Sequence, residues 1–396
     1  MLVKVLVSLV CCSLLVGEGE GAAAGVDLKA LYEAHSWFEL REAIAAGDAP
    51  ALYKGAVAAA FNKTAEAEEI FRSILATAPD SDDAVSAAEW LSYMYLRAGR
   101  YQESASGTED ESGWTPMLRS LPDQSVDRFE PSRLHSRRYS HRIMIPVNVA
   151  GKASELFLDS DANFSFLSES EARRLGLAVR ETGIEVHGVT GERAGVRIAM
   201  ADTLAIGGIQ LRHVAFLVMD DKEPIFSNLA VDQQGALGIP VLLALRTLKL
   251  SRDVLEVGFP ATNGEKSSEM CFDGADLVAL VQFEQQRLPV VFDTGAVRTE
   301  LWPPFAKKFP NAVGGLSKTG WISEAGFGGT SRLKGTVFPE LRLSVGGRMA
   351  SLRAARILAD PTTPNSRWYY GRLGADVLEA ASQVSIDFES LTLTLE

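Results

Sequence analysis

The chain has 396 residues, more than one hydrophobic core usually serves, so two or three domains are expected. Its 46% apolar and 23% charged residues are ordinary for a soluble globular protein. The formal charge of −12 argues against nucleic acid as a partner, because that role needs clustered Lys and Arg to neutralise phosphates.

At the start, Lys4 precedes the apolar run 5-VLVSLVCCSLLV-16 and the small-residue run 21-GAAAG-25. A basic start, a short apolar centre and an Ala-rich exit predict a secretory signal peptide over 1–24, cut near Ala23 or Ala24. The apolar run is shorter than the roughly 20 residues of a membrane span, and no later segment is long enough either. Export to the periplasm or the extracellular space is the expectation. Only Cys271 remains in the mature chain, so no intramolecular disulfide is expected there.

Residues 26–105 read as helical hairpins, rich in Ala, Glu, Leu and Lys, with apolar residues recurring at three and four. In 84-AVSAAEWLSYMYLRAGRYQESA-105, Ala88, Leu91, Tyr95 and Ala98 are placed on one face. Small residues at the crossing and a Gly-x-Tyr turn resemble tetratricopeptide repeats in a 34-residue register, about two units. A helical cap packed on the next domain explains the same text. The polar segment 106–138 has several prolines and no sustained period, and reads as a linker.

From Tyr139 the texture is β. Runs such as 141-HRIMIPVNV-149, 195-GVRIAMADTLAIGG-208 and 211-LRHVAFLVM-219 alternate with Gly and Asp turns, and only 168–177 and 303–309 look helical. This region repeats itself. Asp159, Gly188, Gly207 and 235-GALGIPVL-242 recur as Asp293, Gly326, Gly346 and 371-GRLGADVL-378, at offsets of 134, 138, 139 and 136. A duplicated β-lobe is predicted, with lobes over 139–260 and 261–396.

Each lobe carries an apolar strand that ends on an acid and turns, 156-LFLDSDANF-164 and 290-VVFDTGAVR-298. Two such corners facing each other across a pseudo-two-fold axis would bring Asp159 and Asp293 together. Like charges that close cannot both ionise, so the pair holds one proton. One carboxylate then takes a proton from water while the other donates to a carbonyl oxygen, without metal or cofactor. The five histidines show no metal-ligand spacing, and the chain has no Gly-x-Ser-x-Gly elbow and no phosphate-binding glycine loop.

The sequence 290-VVFDTGA-296, followed some 80 residues later by an apolar Leu-Gly segment, resembles the aspartic protease family, and more narrowly its bacterial retropepsin-like members. The resemblance covers about 139–396. It implies an α+β multidomain chain in which helical hairpins precede an all-β, two-lobed double barrel. It implies Asp159 and Asp293 as catalytic, with Ser160, Asp161, Thr294 and Gly295 beside them. Gly188, Thr190 and Gly191 match one flap position, and Gly326, Gly328 and Gly329 the other. The implied partner is a polypeptide substrate, with both halves of the site on one chain and no need of homodimerisation.

Asp161 departs from the family, which has Gly there. A third acid beside the pair disfavours its ionisation, and if Gly295 sits at positive φ, Asp161 would be strained at the equivalent point. Three readings follow. The chain is an exported endopeptidase, a silent relative that binds extended peptide in the same cleft, or a scaffold whose helices recruit a protein partner.

Overall fold

The computed structural model describes residues 26–106, 114–187, 193–260, 267–316, 320–361 and 363–396. The signal-peptide segment and the flap positions Gly188, Thr190 and Gly191 lie outside the described residues.

Helices Trp37–Ala45, Ala51–Ala60, Thr64–Thr77 and Asp82–Arg97 form the N-terminal layer. Close crossing explains the small residues. A Cβ on Gly55 would stand 2.6 Å from the Phe71 ring. The helix Asp82–Arg97 starts where the Ser81 hydroxyl accepts from Ala84 N, with Asp82 and Asp83 in its first turn. Its buried residues include Ala84, Ala87, Trp90, Leu91, Met94 and Tyr95. The expected face is therefore rotated, with Ala98 exposed. Alanine is nearly indifferent to burial, so Trp90 and Met94 decide which side turns inward.

Both β-lobes have one topology. In lobe one, Lys152–Leu158 pairs with Arg142–Val149 on one side and, in parallel, with Gly235–Leu237 on the other. Gly235–Leu237 then pairs with Ser165–Ser168, and that strand runs parallel to Ile209–Met219. Arg193–Ile206 closes the barrel by pairing with both Ile209–Met219 and Arg142–Val149. In lobe two, Asp276–Phe283, Gln286–Phe292, Gly371–Leu373, Glu300–Leu301, Arg348–Leu358 and Gly329–Val345 repeat the circuit.

A sheet of strands from both lobes joins the barrels. Its central pair is Thr247–Ser251 against Gln383–Asp387, in antiparallel register with Lys249 opposite Ser385. Val254–Val257 and Ser132–His135 extend it on one side, Thr392–Leu395 and Ser268–Asp273 on the other. The segment 106–138, expected as a linker, thus supplies a strand to this sheet. A second strand, Ser125–Arg128, pairs with the edge of lobe one, and helix Trp114–Arg119 lies just upstream. Inside lobe one the apolar run Ile239–Leu245 is a helix that the sequence reading did not foresee. Its unbroken apolar sequence, IPVLLAL, removes the period that separates a buried helix from a buried strand.

The helices are not a separate body. Trp37, Phe71, Trp90 and Met94 share one apolar cluster with Cys271, Val278, Val291, Trp302 and Tyr369 of lobe two. Arg97, 2% exposed, donates to Ala59 O at 2.6 Å and to Gly274 O at 2.9 Å, with its guanidinium 4.1 Å from the Phe272 ring centre. Tyr101 and Trp114 stack on Phe164 of lobe one, so the N-terminal region touches both lobes.

Candidate active site

The two acidic corners meet at the junction of the barrels. Each is held from behind by the parallel strand of its own lobe. Asp159 N donates to Leu237 O and Asp293 N donates to Leu373 O, both at 3.0 Å. Gly238 and Gly374 follow, and a Cβ on either would come within 2.6 Å of the backbone just past the corner, Ala162 and Phe164 or Arg298, so both Leu-Gly pairs need their glycine. Gly238 N donates to Ser165 Oγ and Gly374 N to Thr299 Oγ1, each at 3.1 Å.

The corners also hold each other. Ser160 N donates to Thr294 Oγ1 at 3.1 Å, and Thr294 N donates to Ser160 Oγ at 3.0 Å. Each hydroxyl passes its own proton on across the junction, Ser160 Oγ to Phe292 O at 2.7 Å and Thr294 Oγ1 to Leu158 O at 2.9 Å. This reciprocal network needs a hydroxyl on both sides. Serine in one corner and threonine in the other satisfy it equally, which is why the two spellings make one geometry.

The structure brings Asp159 and Asp293 together, 9% and 4% exposed. Asp293 Oδ1 accepts from Gly295 N at 2.8 Å and Ala296 N at 2.9 Å, and its Oδ2 from Arg372 Nη1 at 3.1 Å. Asp159 Oδ1 accepts from Asp161 N at 3.2 Å. Burial, and then the charge of Asp293, push the Asp159 carboxyl up to about 7. Asp161 is half-buried beside them. Desolvation drives its carboxyl well above the ordinary range, with Asp293 and Asp276 adding to this and Arg372 opposing it.

Gly295 is required for room. A Cβ there would stand 2.4 Å from Asp159 Oδ2, while neither Gly295 nor Asp161 has positive φ. The strain expected at Asp161 is therefore absent, and what distinguishes Asp161 is a third, half-buried acid whose charge is felt by the pair.

Two arginines escaped the sequence reading. Arg142 Nε donates to Gly295 O at 2.8 Å, and its charge bears on both corner carboxylates. Arg372 binds Glu300 and Glu324 at 3.3 Å as well as Asp293. Although burial opposes its charge, Glu300, Asp293 and Asp161 hold it protonated. The signal for Arg372 was available, because the repeat places it opposite Ala236 of lobe one.

Of the expected flap residues, Gly326, Gly328 and Gly329 form the tip of the hairpin Gly320–Gly326 and Gly329–Val345, where Gly328 and Gly329 have positive φ. This tip reaches lobe one. Gly328 N donates to Glu223 Oε2 at 2.8 Å, and Phe327 packs among lobe-one side chains. His141 pairs with Glu379 and His35 with Asp273, and among the described residues no acidic, His or Cys group has the arrangement of a metal site.

Residues 145–241 match the family model described as Aspartyl protease. No curated protein matches the chain. Among solved structures, the chain is similar to a retropepsin-like aspartic protease from Rickettsia conorii, at 14% identity and a TM-score of 0.25, over 34% of this chain and 93% of that one. It is also similar to an aspartic proteinase from Irpex lacteus, at 11% identity and a TM-score of 0.41, over 67% of this chain and 96% of that one. The aspartyl protease match spans the lobe-one corner and the loop that crosses behind it.

Proposed function

We propose that the chain is an exported aspartic-type endopeptidase that hydrolyses peptide bonds with water activated between Asp159 and Asp293. The observation that carries this reading is the reciprocal Ser160–Thr294 network, which ties the two acidic corners of one chain together at the junction of the barrels. The aspartyl protease match over 145–241 supports it independently.

In this reading Asp293, which accepts from two backbone amides and Arg372, is the base. It takes a proton from water as the water oxygen bonds to the peptide carbon. Asp159, protonated up to about pH 7, donates to the carbonyl oxygen as the C=O double bond opens. Return of the proton from Asp293 to the amide nitrogen, and of the diol proton to Asp159, breaks the C–N bond. The signal-like run before residue 25 supports export.

A second reading, a peptide-binding relative that does not cut, is favoured by Asp161 in a glycine position and by Arg372 on Asp293 Oδ2. Turnover of a peptide library between pH 3 and 8 separates the two. The peptidase reading expects cleavage that falls by at least about 10³-fold in Asp293→Asn, a loss of roughly 4 kcal/mol of barrier lowering. Equal turnover by the parent and Asp293→Asn would exclude it.

A further inference from the structure

Beside the two acidic corners, the N-terminal helices and lobe two border an open cavity of about 490 Å³, within the range of small-ligand sites. Tyr32, Trp90 and Tyr93 from the helices form one wall, and the turn Asp273–Asp276 forms the other. The cavity adjoins the catalytic corners, because its lining includes Asn163, four residues past Asp159. Asp276 is close enough for its charge to act on Asp161 and to feel that of Asp293.

Its charge is one-sided. Four carboxylates, Glu33, Glu89, Asp273 and Asp276, line it against the single base His35. Asp273 is already satisfied, since its Oδ2 contacts His35 Nδ1 and Tyr369 Oη, both at 2.7 Å. Asp276 Oδ2 accepts, among the described residues, from the neutral amide of Asn365, at 2.7 Å. Among the described residues, neither Asp276 nor Glu89 has an ion-pair partner. Tyr93 lines the same cavity, near enough to both acids for their charges to act on it. Its hydroxyl is pushed up by burial and then by the charges of Glu89, Asp276 and Asp273. Tyr93 as a residue is 37% exposed, so part of it is open to a visitor.

We infer that this cavity is a binding site for a basic side chain, lysine or arginine, of a polypeptide lying in the catalytic cleft. The cation sits over the Tyr93 ring between Glu89 and Asp276, where charge-assisted hydrogen bonds and the aromatic face both favour it. A neutral or acidic side chain would leave the two carboxylates unpaired. The site makes the N-terminal helices part of substrate selection. It rests on the peptidase reading only for the claim that the bound chain is then cut.

The test separates the two claims. Binding is measured by calorimetry on the full chain carrying Asp293→Asn, using peptides that differ only by lysine or norleucine at successive positions. At one position the lysine peptide should bind at least tenfold more tightly, and the ratio should fall as salt is raised. Adding Glu89→Gln, or separately Tyr93→Leu, should bring the ratio to within about twofold. Equal binding of the two peptides at every position, no binding of either, or a lysine preference that survives both substitutions would overturn the site. Lysine-dependent binding with no cleavage by the unsubstituted chain would remove the peptidase reading and leave the site standing.

Discussion

Asp159 and Asp161 stand two residues apart and both resist ionisation, yet their neighbours give them different consequences. The folded chain keeps the Asp159 proton to about pH 7, against an ordinary value of 3.8. The folded state therefore binds more protons than the unfolded state between those values. The stability this group contributes is present below pH 3.8 and is lost as pH rises through about 7. Asp159→Asn removes that loss, so its melting temperature should exceed the parent's above pH 7, with a gap that closes toward pH 4. A gap that does not change with pH would contradict a buried, protonated Asp159. In the proposed mechanism the same titration ends catalysis, and kcat/KM should fall above pH 7. Asp161 adds a third acid close enough to Asp293 for their charges to interact, so Asp161→Gly should raise kcat/KM about tenfold, roughly 1.4 kcal/mol. An unchanged or lower kcat/KM in steady-state assays would place Asp161 outside the chemistry. The acidic corners were legible because each joins an apolar strand to a small turn at a repeated offset. Arg142 and Arg372 were not, since an arginine's partners are set by which strands neighbour it. Only the alignment of Arg372 with Ala236 marks one of them.

Among the elements, the junction of helix Asp82–Arg97 with lobe two is the most demanding. Burial lowers the Arg97 pKa to about 9, and among the described residues backbone carbonyls, not a carboxylate, accept its hydrogen bonds. Arg97→Ala leaves Ala59 O and Gly274 O without this donor and opens space against Phe272. A loss of about 2–4 kcal/mol is expected, read as a lower urea midpoint at an unchanged slope. A shift below about 0.5 kcal/mol would mean the junction re-forms without it. The N-terminal helices and the long strands were readable from their periods, unlike Trp114–Arg119 and Ile239–Leu245. Strands Ser125–Arg128 and Ser132–His135 were not, because the first is exposed throughout and the second alternates only between half-buried and exposed. A strand placed by its partners rather than by a buried face leaves no hydrophobic alternation in the text.

At the scale of the whole molecule, the helices, two barrels and joining sheet share surfaces that none can leave bare. Cys271, Val278, Val291, Trp302 and Tyr369, each at most 2% exposed, lie under the helical layer. A chain lacking residues 26–105 should aggregate or bind a hydrophobic dye. A soluble monomer with the parent's melting temperature would show that the layer is dispensable. The duplication foretold two lobes, while contact between the helices and both of them depends on pairings no local pattern encodes. The joining sheet has a further consequence for when the molecule becomes competent. Its strands Gln383–Asp387 and Thr392–Leu395 come about 90 residues after Asp293. A chain growing from the ribosome has both acidic corners long before it has the strands that clamp the lobes together. Until those strands are made, only the Ser160–Thr294 network joins the corners, so the order of synthesis itself delays their stable pairing.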